Sequence, residues 1–196
     1  MSSGWDWSWD AIGAIAESFT ALGVLVVIAQ IKFEKQRSRE QSALNLLMGR
    51  SHNRPVNSRL TIKLIAALDQ EQIEALLQRQ EIQIDERQRQ LAQACFSNRG
   101  IAEIKELFAT GKITSKGAAL LAKRGNRVLD EDESMAIAIN RDVADSKMIL
   151  DGVRNTIDKD VKTIIDKYNA PSWRKEGVEK IFYPALVEFF KHHPPH

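Results

Sequence analysis

The pattern of apolar and polar positions changes character near residue 31. Before that point, apolar residues run almost without a break from Ala11 to Ile31, and about twenty such residues suffice for a helix to cross a bilayer. Beyond it, apolar residues recur every three or four positions, as in amphipathic helices that bury one face. The pattern therefore predicts an all-α protein: one transmembrane helix over residues 11–31, followed by a multi-helix domain.

The two ends of the apolar run predict its orientation. Residues 1–10 contain three tryptophans and two aspartates, and tryptophan is enriched at membrane–water interfaces. The other end carries a cluster of basic residues: Lys32, Lys35, Arg37 and Arg39. Because basic residues mark the cytoplasmic side, we expect a single-pass plasma-membrane protein with residues 1–10 outside and residues 32–196 in the cytoplasm. An acidic start followed by a basic exit also argues against a cleaved signal peptide.

Two polar residues, Glu17 and Gln30, interrupt the apolar run. A buried helix of a soluble protein therefore stays open as an alternative. Small and polar residues of the run share one helical face, and four of them form the predicted self-association surface: Gly13, Glu17, Thr20 and Gly23. Small residues let helices approach closely, and a carboxyl group in lipid needs a partner. We therefore expect a homo-oligomer formed through the span, a plain anchor being the alternative.

Residues 32–58 are predicted to form a basic juxtamembrane helix and a linker. The helix should continue to about Met48, and the breaker-rich stretch 49–58 should connect it to the domain. The four basic residues that begin this segment (Lys32, Lys35, Arg37, Arg39) would lie at the lipid headgroups or serve only as a topology signal. Residues 59–196 are then the helical cytoplasmic domain.

Helix-start signals divide the first part of this domain. Asp69 and Asp85 are typical N-caps, and Thr114 or Ser115 is another. The predicted helices are 59–68, 70–77, 86–96, 101–110 and one from about residue 115 to Gly125. Ile82 and Ile84 alternate with polar residues and could form a strand, but their surroundings favour a link between helices.

The acidic run Asp130 to Glu133 is predicted to open the longest helix, which would reach Tyr168. Acidic residues in a first helical turn favour the positive end of the helix dipole, and this interpretation outweighs a metal site. The helix would carry one apolar stripe: Ala136, Ile139, Val143, Leu150, Val153, Ile157, Val161, Ile164 and Tyr168. Gly152 could kink it. A last helix should run from about Val178 to Phe190 with a kink at Pro184.

Composition narrows the chemistry further. A formal net charge of +2, with Lys and Arg interleaved with Glu and Asp, does not predict nucleic acid as a partner. The single cysteine, Cys95, excludes an intramolecular disulfide and is expected to be a buried thiol. No phosphate-binding loop, nucleophile elbow or metal-ligand motif occurs. We therefore expect no catalytic residues, no cofactor and no metal site.

The N-terminal segment resembles a group of uncharacterised bacterial membrane proteins with a domain of unknown function. The similar stretches are Trp-Ser-Trp-Asp-Ala-Ile-Gly-Ala-Ile-Ala-Glu (7–17), Ala-Leu-Gly-Val-Leu-Val-Val-Ile (21–28) and Ala-Gln-Ile-Lys (29–32). Residues 106–113 are similar to a further segment of the same group. The resemblance covers Trp5 to about Lys35 and implies a bacterial inner-membrane protein with a helical cytoplasmic domain. It implies no activity.

Two classes of function follow from this layout. The first is a non-enzymatic membrane protein whose span self-associates and whose domain binds a cytoplasmic protein or a small molecule, as a sensor, a scaffold or a membrane-acting effector in stress or phage defence. The second is a membrane-tethered enzyme with a pocket built from dispersed residues. A deep polar cleft would favour the enzyme, whereas a flat apolar patch would favour the binding protein.

Overall fold

The computed structural model describes residues 9–54, 57–97, 104, 108–109, 111–153, 159–170 and 181–195, with side chains of residues 9–22, 51–53, 109 and 152–153 excepted. The elements in these ranges are α1 (Trp9–Asn53), α2 (Ser58–Ala67), α3 (Gln70–Leu77), β1 (Ile82–Gln83), α4 (Glu86–Cys95), β2 (Phe108–Ala109), β3 (Lys112–Ile113), α5 (Ser115–Asn140), α6 (Ser146–Val153), α7 (Lys159–Tyr168) and α8 (Pro184–His192). Helices dominate, which confirms the all-α prediction apart from three two-residue strands.

Helix α1 is longer than its sequence predicts. It spans 45 residues, so the linker expected over residues 49–58 does not begin at Gly49. Arg50 lies one residue further along and is buried against the domain, and this packing holds the last turns helical where propensity alone would end them. Within the described part of the chain, no helix is both long and apolar enough to span a membrane.

The short helices α3 and α4 form where their caps predict. In each, the N-cap aspartate (Asp69 or Asp85) accepts a hydrogen bond from the backbone of the residue three positions on. That residue, Gln72 or Gln88, bonds back to the cap's own backbone N–H. These are complete capping boxes, so the predicted starts of both helices are confirmed.

A small antiparallel sheet replaces two of the predicted elements. Ile82 of β1 pairs with Ile113 of β3, and Phe108 of β2 pairs with the same residue from the other side. The link expected around Ile82 is thus a strand, and the expected helix 101–110 does not extend to residues 108–109. Gly111, with a φ of 74°, turns the chain between β2 and β3. Ile82 and Ile113 are both buried, so core packing decides the outcome rather than local propensity. Ile104 is helical, and most of the rest of the expected helix lies outside the described residues.

Helix α5 begins as predicted but does not end at Gly125. The Thr114 hydroxyl accepts a hydrogen bond from the Gly117 N–H, confirming the cap, and the helix then continues to Asn140. A Cβ atom added at Gly125 would overlap the Cδ1 atom of Ile65 on α2. The glycine therefore serves a close approach of two helices and does not stop α5.

The single long helix predicted from residue 131 to Tyr168 is wrong. The acidic run lies in the middle of α5, and the chain breaks after Asn140, where Asp142 adopts a left-handed φ of 56°. Asp145 then accepts a hydrogen bond from the Met148 N–H and starts α6. Tyr168 ends a separate helix, α7.

The apolar stripe of that predicted helix is nonetheless largely correct. Ala136, Val161, Ile164 and Tyr168 are buried, and Ile139 and Leu150 pack against the core. Val143 is 56% exposed because it lies in the break between α5 and α6. The side chains of Val153 and Ile157, and the surroundings of Gly152, lie outside the described residues.

Pro184 does not kink the last helix. It is the first residue of α8, directly after Tyr183, whose φ is 54°. Proline suits this position because its missing N–H would have no helical partner there. Ile181 falls inside the predicted helix, but in the structure it precedes α8 and is 49% exposed.

The domain has one large core and one small one. The large core is formed mainly by α2, α3, α4, α5, α7 and α8. The small core joins α1 to α5 and α6 through five buried residues: Ala43, Met135, Ala138, Ala144 and Ile149. This second core fixes the C-terminal part of α1 on the domain.

Candidate functional site

The N-terminal part of α1 presents large apolar side chains to solvent. We call residues 24–31 the apolar segment. Between 45% and 63% of each of its large apolar side chains is exposed: Val24, Leu25, Val26, Val27, Ile28 and Ile31. Phe33, just beyond it, is 71% exposed. Every described residue from Gly23 to Ser38 is exposed. A contiguous apolar surface of this kind marks a site of contact with a membrane or another protein.

The four basic residues after the segment do not behave alike. Lys32, Lys35 and Arg37 are exposed and make no ion pair with any residue that the structure describes. Arg39 is half-buried and pairs with Asp142 in the break between α5 and α6. Three of the four predicted headgroup residues are thus open to an anionic surface, and the fourth ties α1 to the domain.

The predicted self-association residues all belong to α1. Gly23 faces open space, with nothing within 4 Å of an added Cβ atom. Gly13, Glu17 and Thr20 lie on the same helix, and their side chains are outside the described residues.

A buried ion pair attaches α1 to the domain. The Arg50 Nη2 atom lies 2.8 Å from Asp132 Oδ1, and the two side chains are 7% and 0% exposed. Arg50 Nη1 also lies 3.8 Å from the Met135 sulfur. Burial lowers the pKa of the Arg50 guanidinium, an effect that the neighbouring Asp132 carboxylate opposes. Because both side chains are shielded from water, removing either one would leave the other as a buried, unpaired charge, which is strongly destabilising.

Further charges surround this pair. Arg54 Nη2 lies 4.0 Å from Asp132 Oδ2, giving the carboxylate a second cation. Glu131, the residue before Asp132, has a raised pKa because desolvation disfavours its charged form. The positive charges of Arg54 and Arg127 partly offset this rise. The end of α1 is therefore embedded in an electrostatic cluster centred on the middle of α5.

The docked face of α1 follows a simple register. Gln36 donates a hydrogen bond to Asp145 at 3.0 Å, Ala43 and Leu46 pack in the small core, and Arg39 and Arg50 make the two ion pairs. The spacings along this series are three or four residues, so the sequence already contained a signal for docking. The sequence pattern does not lead to a prediction of this contact, because the basic residues at the start of residues 32–48 indicate the end of a membrane span, and this signal is stronger than the helical spacing of the docked residues.

The acidic run of α5 also has a role that the sequence did not reveal. Asp132 holds α1, as above, while the Glu133 carboxylate accepts hydrogen bonds from the backbone N–H groups of Ala185 and Leu186 at 2.9 and 2.8 Å. Glu133 thus caps the start of α8 from a different helix. The expected interaction of this run with the dipole of its own helix is wrong, because the run lies far from a helix end.

Cys95 is buried, as predicted. Its sulfur lies 3.1 Å from the Thr61 hydroxyl, and desolvation raises the pKa of the thiol. A buried thiol with a raised pKa is a poor nucleophile.

Among the described residues, no three His, Cys, Asp or Glu side chains are grouped so as to hold a metal ion. Comparison with protein-family models, curated proteins and solved structures finds no match. What this protein does therefore has to be inferred from its own contacts.

Proposed function

We propose that this chain is a non-enzymatic, single-pass protein of a bacterial inner membrane. In this proposal residues 11–31, which include the apolar segment, cross the membrane, residues 1–10 lie outside, and residues 32–196 form a cytoplasmic helical domain that binds a partner. The observation that carries the proposal is the exposure of six large apolar side chains in the apolar segment of α1.

Energetics support insertion of this segment. Each large apolar residue favours insertion by about 0.3–0.6 kcal/mol, so the six of the apolar segment contribute roughly 2–4 kcal/mol. The segment is followed by Lys32, Lys35 and Arg37, which are exposed and can each gain about 1 kcal/mol near anionic headgroups. Both terms favour a position in which the segment is in lipid and the cations are at its cytoplasmic surface.

The continuity of α1 suggests what the anchor does. Docking begins at Gln36, only five residues after Ile31, or about 8 Å at 1.5 Å per helical residue. No loop intervenes, because α1 is one helix through this region. The domain would be held rigidly beside the membrane, so that a rotation or association of the anchors would be passed to it. Such coupling suits a sensor, a scaffold or a membrane-acting effector.

The membrane part of the proposal is tested by flotation of the full chain with anionic lipid vesicles. The variant Val24→Lys with Leu25→Lys adds two charges deeper in the span, six or seven residues from its cytoplasmic end, each costing up to about 2.5–3.5 kcal/mol, the value near mid-bilayer, and should stay at the bottom of the gradient. The matched control Gln41→Lys with Asn45→Lys adds the same charges at exposed positions of the docked part and should float like the parent. Equal flotation of both variants would contradict insertion.

Self-association is tested separately at Glu17. We propose that Gly13, Glu17, Thr20 and Gly23 form the contact between spans, with Glu17 as its polar centre. Glu17→Leu should then weaken cross-linked oligomers in membranes while leaving flotation unchanged. Undiminished cross-linking would leave the span as a plain anchor.

A further inference from the structure

A cleft of about 680 Å³ lies between the end of α3 and one face of α5. Its apolar lining includes Leu77 and Leu120, and its basic lining consists of Arg79, Lys123 and Arg127. Its volume falls within the range of small-molecule sites, which combine an apolar body with a few convergent polar groups. The cleft lies apart from the α1 surface considered so far.

The electrostatic balance of the cleft is positive. Arg79 and Lys123 form no ion pair with any described residue, and Arg127 has only a long contact, 3.9 Å from its Nε atom to Glu131 Oε1. The one carboxylate among the lining residues, Asp130, is exposed and offsets only part of the charge of the three cations. The three cations therefore have capacity for an anion that the protein itself does not supply.

The positions of the cations suit one ligand rather than three separate ones. Lys123 and Arg127 are four residues apart on α5 and so project from the same face of the helix. Arg79 approaches from the end of α3, where its left-handed φ of 57° and the hydrogen bond from its N–H to the Leu76 carbonyl close the helix. Guanidinium groups bind phosphate oxygens in pairs, and a lysine adds a mobile point charge.

We propose that this cleft binds a nucleotide, with its phosphates on Arg79, Lys123 and Arg127 and its base against Leu77 and Leu120. The apolar lining provides for a flat ring, which inorganic phosphate lacks. This proposal names a small-molecule partner for the domain. It rests on the proposed function in one respect: that the domain binds a partner. Membrane insertion is not needed for it.

A second cleft, between α2, α4 and α7, fits an anion less well. It has a volume of about 710 Å³ and is also lined by three cations: Lys63, Arg87 and Lys159. Two carboxylates, Asp85 and Asp160, share its lining and offset two of the three positive charges. The cleft between α3 and α5 has a single carboxylate, Asp130, against its three cations and is therefore the better anion site.

The test is isothermal titration of the purified full-length chain with ATP, GTP and CTP, alongside adenosine and tripolyphosphate. At least one nucleotide should bind, more tightly than tripolyphosphate, and adenosine should not bind measurably. Lys123→Ala and Arg79→Ala should each weaken binding about 10- to 100-fold, the usual loss for one charge-assisted hydrogen bond. Both side chains are exposed, so melting temperatures should stay at the parent value.

Two control variants locate the site. Lys147→Ala removes an exposed lysine on α6, and Lys63→Ala removes a lysine that lines the second cleft. Both should leave the affinity for the nucleotide unchanged. The proposal is overturned if no nucleotide binds, if tripolyphosphate binds as tightly as the nucleotides, or if Lys63→Ala weakens binding while Lys123→Ala does not. Since each outcome is read from nucleotide binding by the purified chain with no vesicles present, it is distinguishable from failure of the flotation experiment.

Discussion

Replacing Asp132 by asparagine should loosen α1 from the domain. The substitution keeps the shape of the side chain but leaves the Arg50 guanidinium, 7% exposed, without the carboxylate that lies 2.8 Å from it. Breaking a buried pair by removing one partner costs about 3–5 kcal/mol. For a chain of this size, each kcal/mol lowers the melting temperature by about 2–4 °C, so we expect a fall of roughly 6–20 °C.

The assay combines thermal unfolding, followed by circular dichroism, with hydrogen exchange. Exchange should rise most in residues 36–50, because the small core and the ion pair protect that part of α1. Asp151→Asn is the matched control, since Asp151 is exposed and surface substitutions of this kind stay within about 0.5 kcal/mol.

A double variant separates charge from packing. Asp132→Leu with Arg50→Met replaces the pair by apolar side chains beside Met135, and such replacements are neutral or stabilising when the volume is kept. Its melting temperature should return to near the parent value. The reasoning is refuted if Asp132→Asn melts like Asp151→Asn, or if exchange rises evenly over the whole chain.

Three further predictions concern single positions. Gly125→Val should lower the free energy of unfolding in urea by about 1–3 kcal/mol because its side chain would meet Ile65. Gly49→Ala, with open space around the added methyl group, should raise it by about 0.5–1 kcal/mol. If Gly125→Val were the more stable of the two, the packing described for Gly125 would be contradicted. Cys95 should resist iodoacetamide in the folded chain and react fully in denaturant; rapid native labelling would contradict its burial and raised pKa. Asp145 has a pKa lowered by hydrogen bonds from the backbone of Met148 and from Gln36, so its contribution to stability is fully present above pH 3.8 and is lost as the pH falls through the folded-state value. Exchange in α6 should therefore stay constant near neutral pH and increase as the pH falls through about 4 and below. An increase that starts near neutral pH would contradict this assignment.

Capping residues predicted the starts of three helices correctly. Asp69, Asp85 and Thr114 cap α3, α4 and α5 because a cap depends only on the next three residues. Helix ends were harder to predict. In the sequence, Gly125 suggests the end of a helix. In the structure, it lets α5 approach Ile65 of α2, a residue about sixty positions away that no local pattern could indicate.

The candidate site shows the same division. The apolar segment could be read from composition alone, and its exposure in the structure agrees with a surface contact. The acidic run could not be interpreted in this way, since Asp132 meets Arg50 across 82 residues of sequence. Short runs of charge carry no information about which distant helix they will face, and here that contact decides where α1 is held.

The most direct test of the account is water accessibility along α1 in membranes. Val27→Cys and Gln41→Cys, each in a Cys95→Ala background, place one thiol at residues that are both exposed in the isolated chain. In inside-out membrane vesicles, a water-soluble maleimide should label residue 41 and leave residue 27 unlabelled until detergent and denaturant are added. Equal labelling of the two positions in intact vesicles would contradict a membrane-embedded apolar segment.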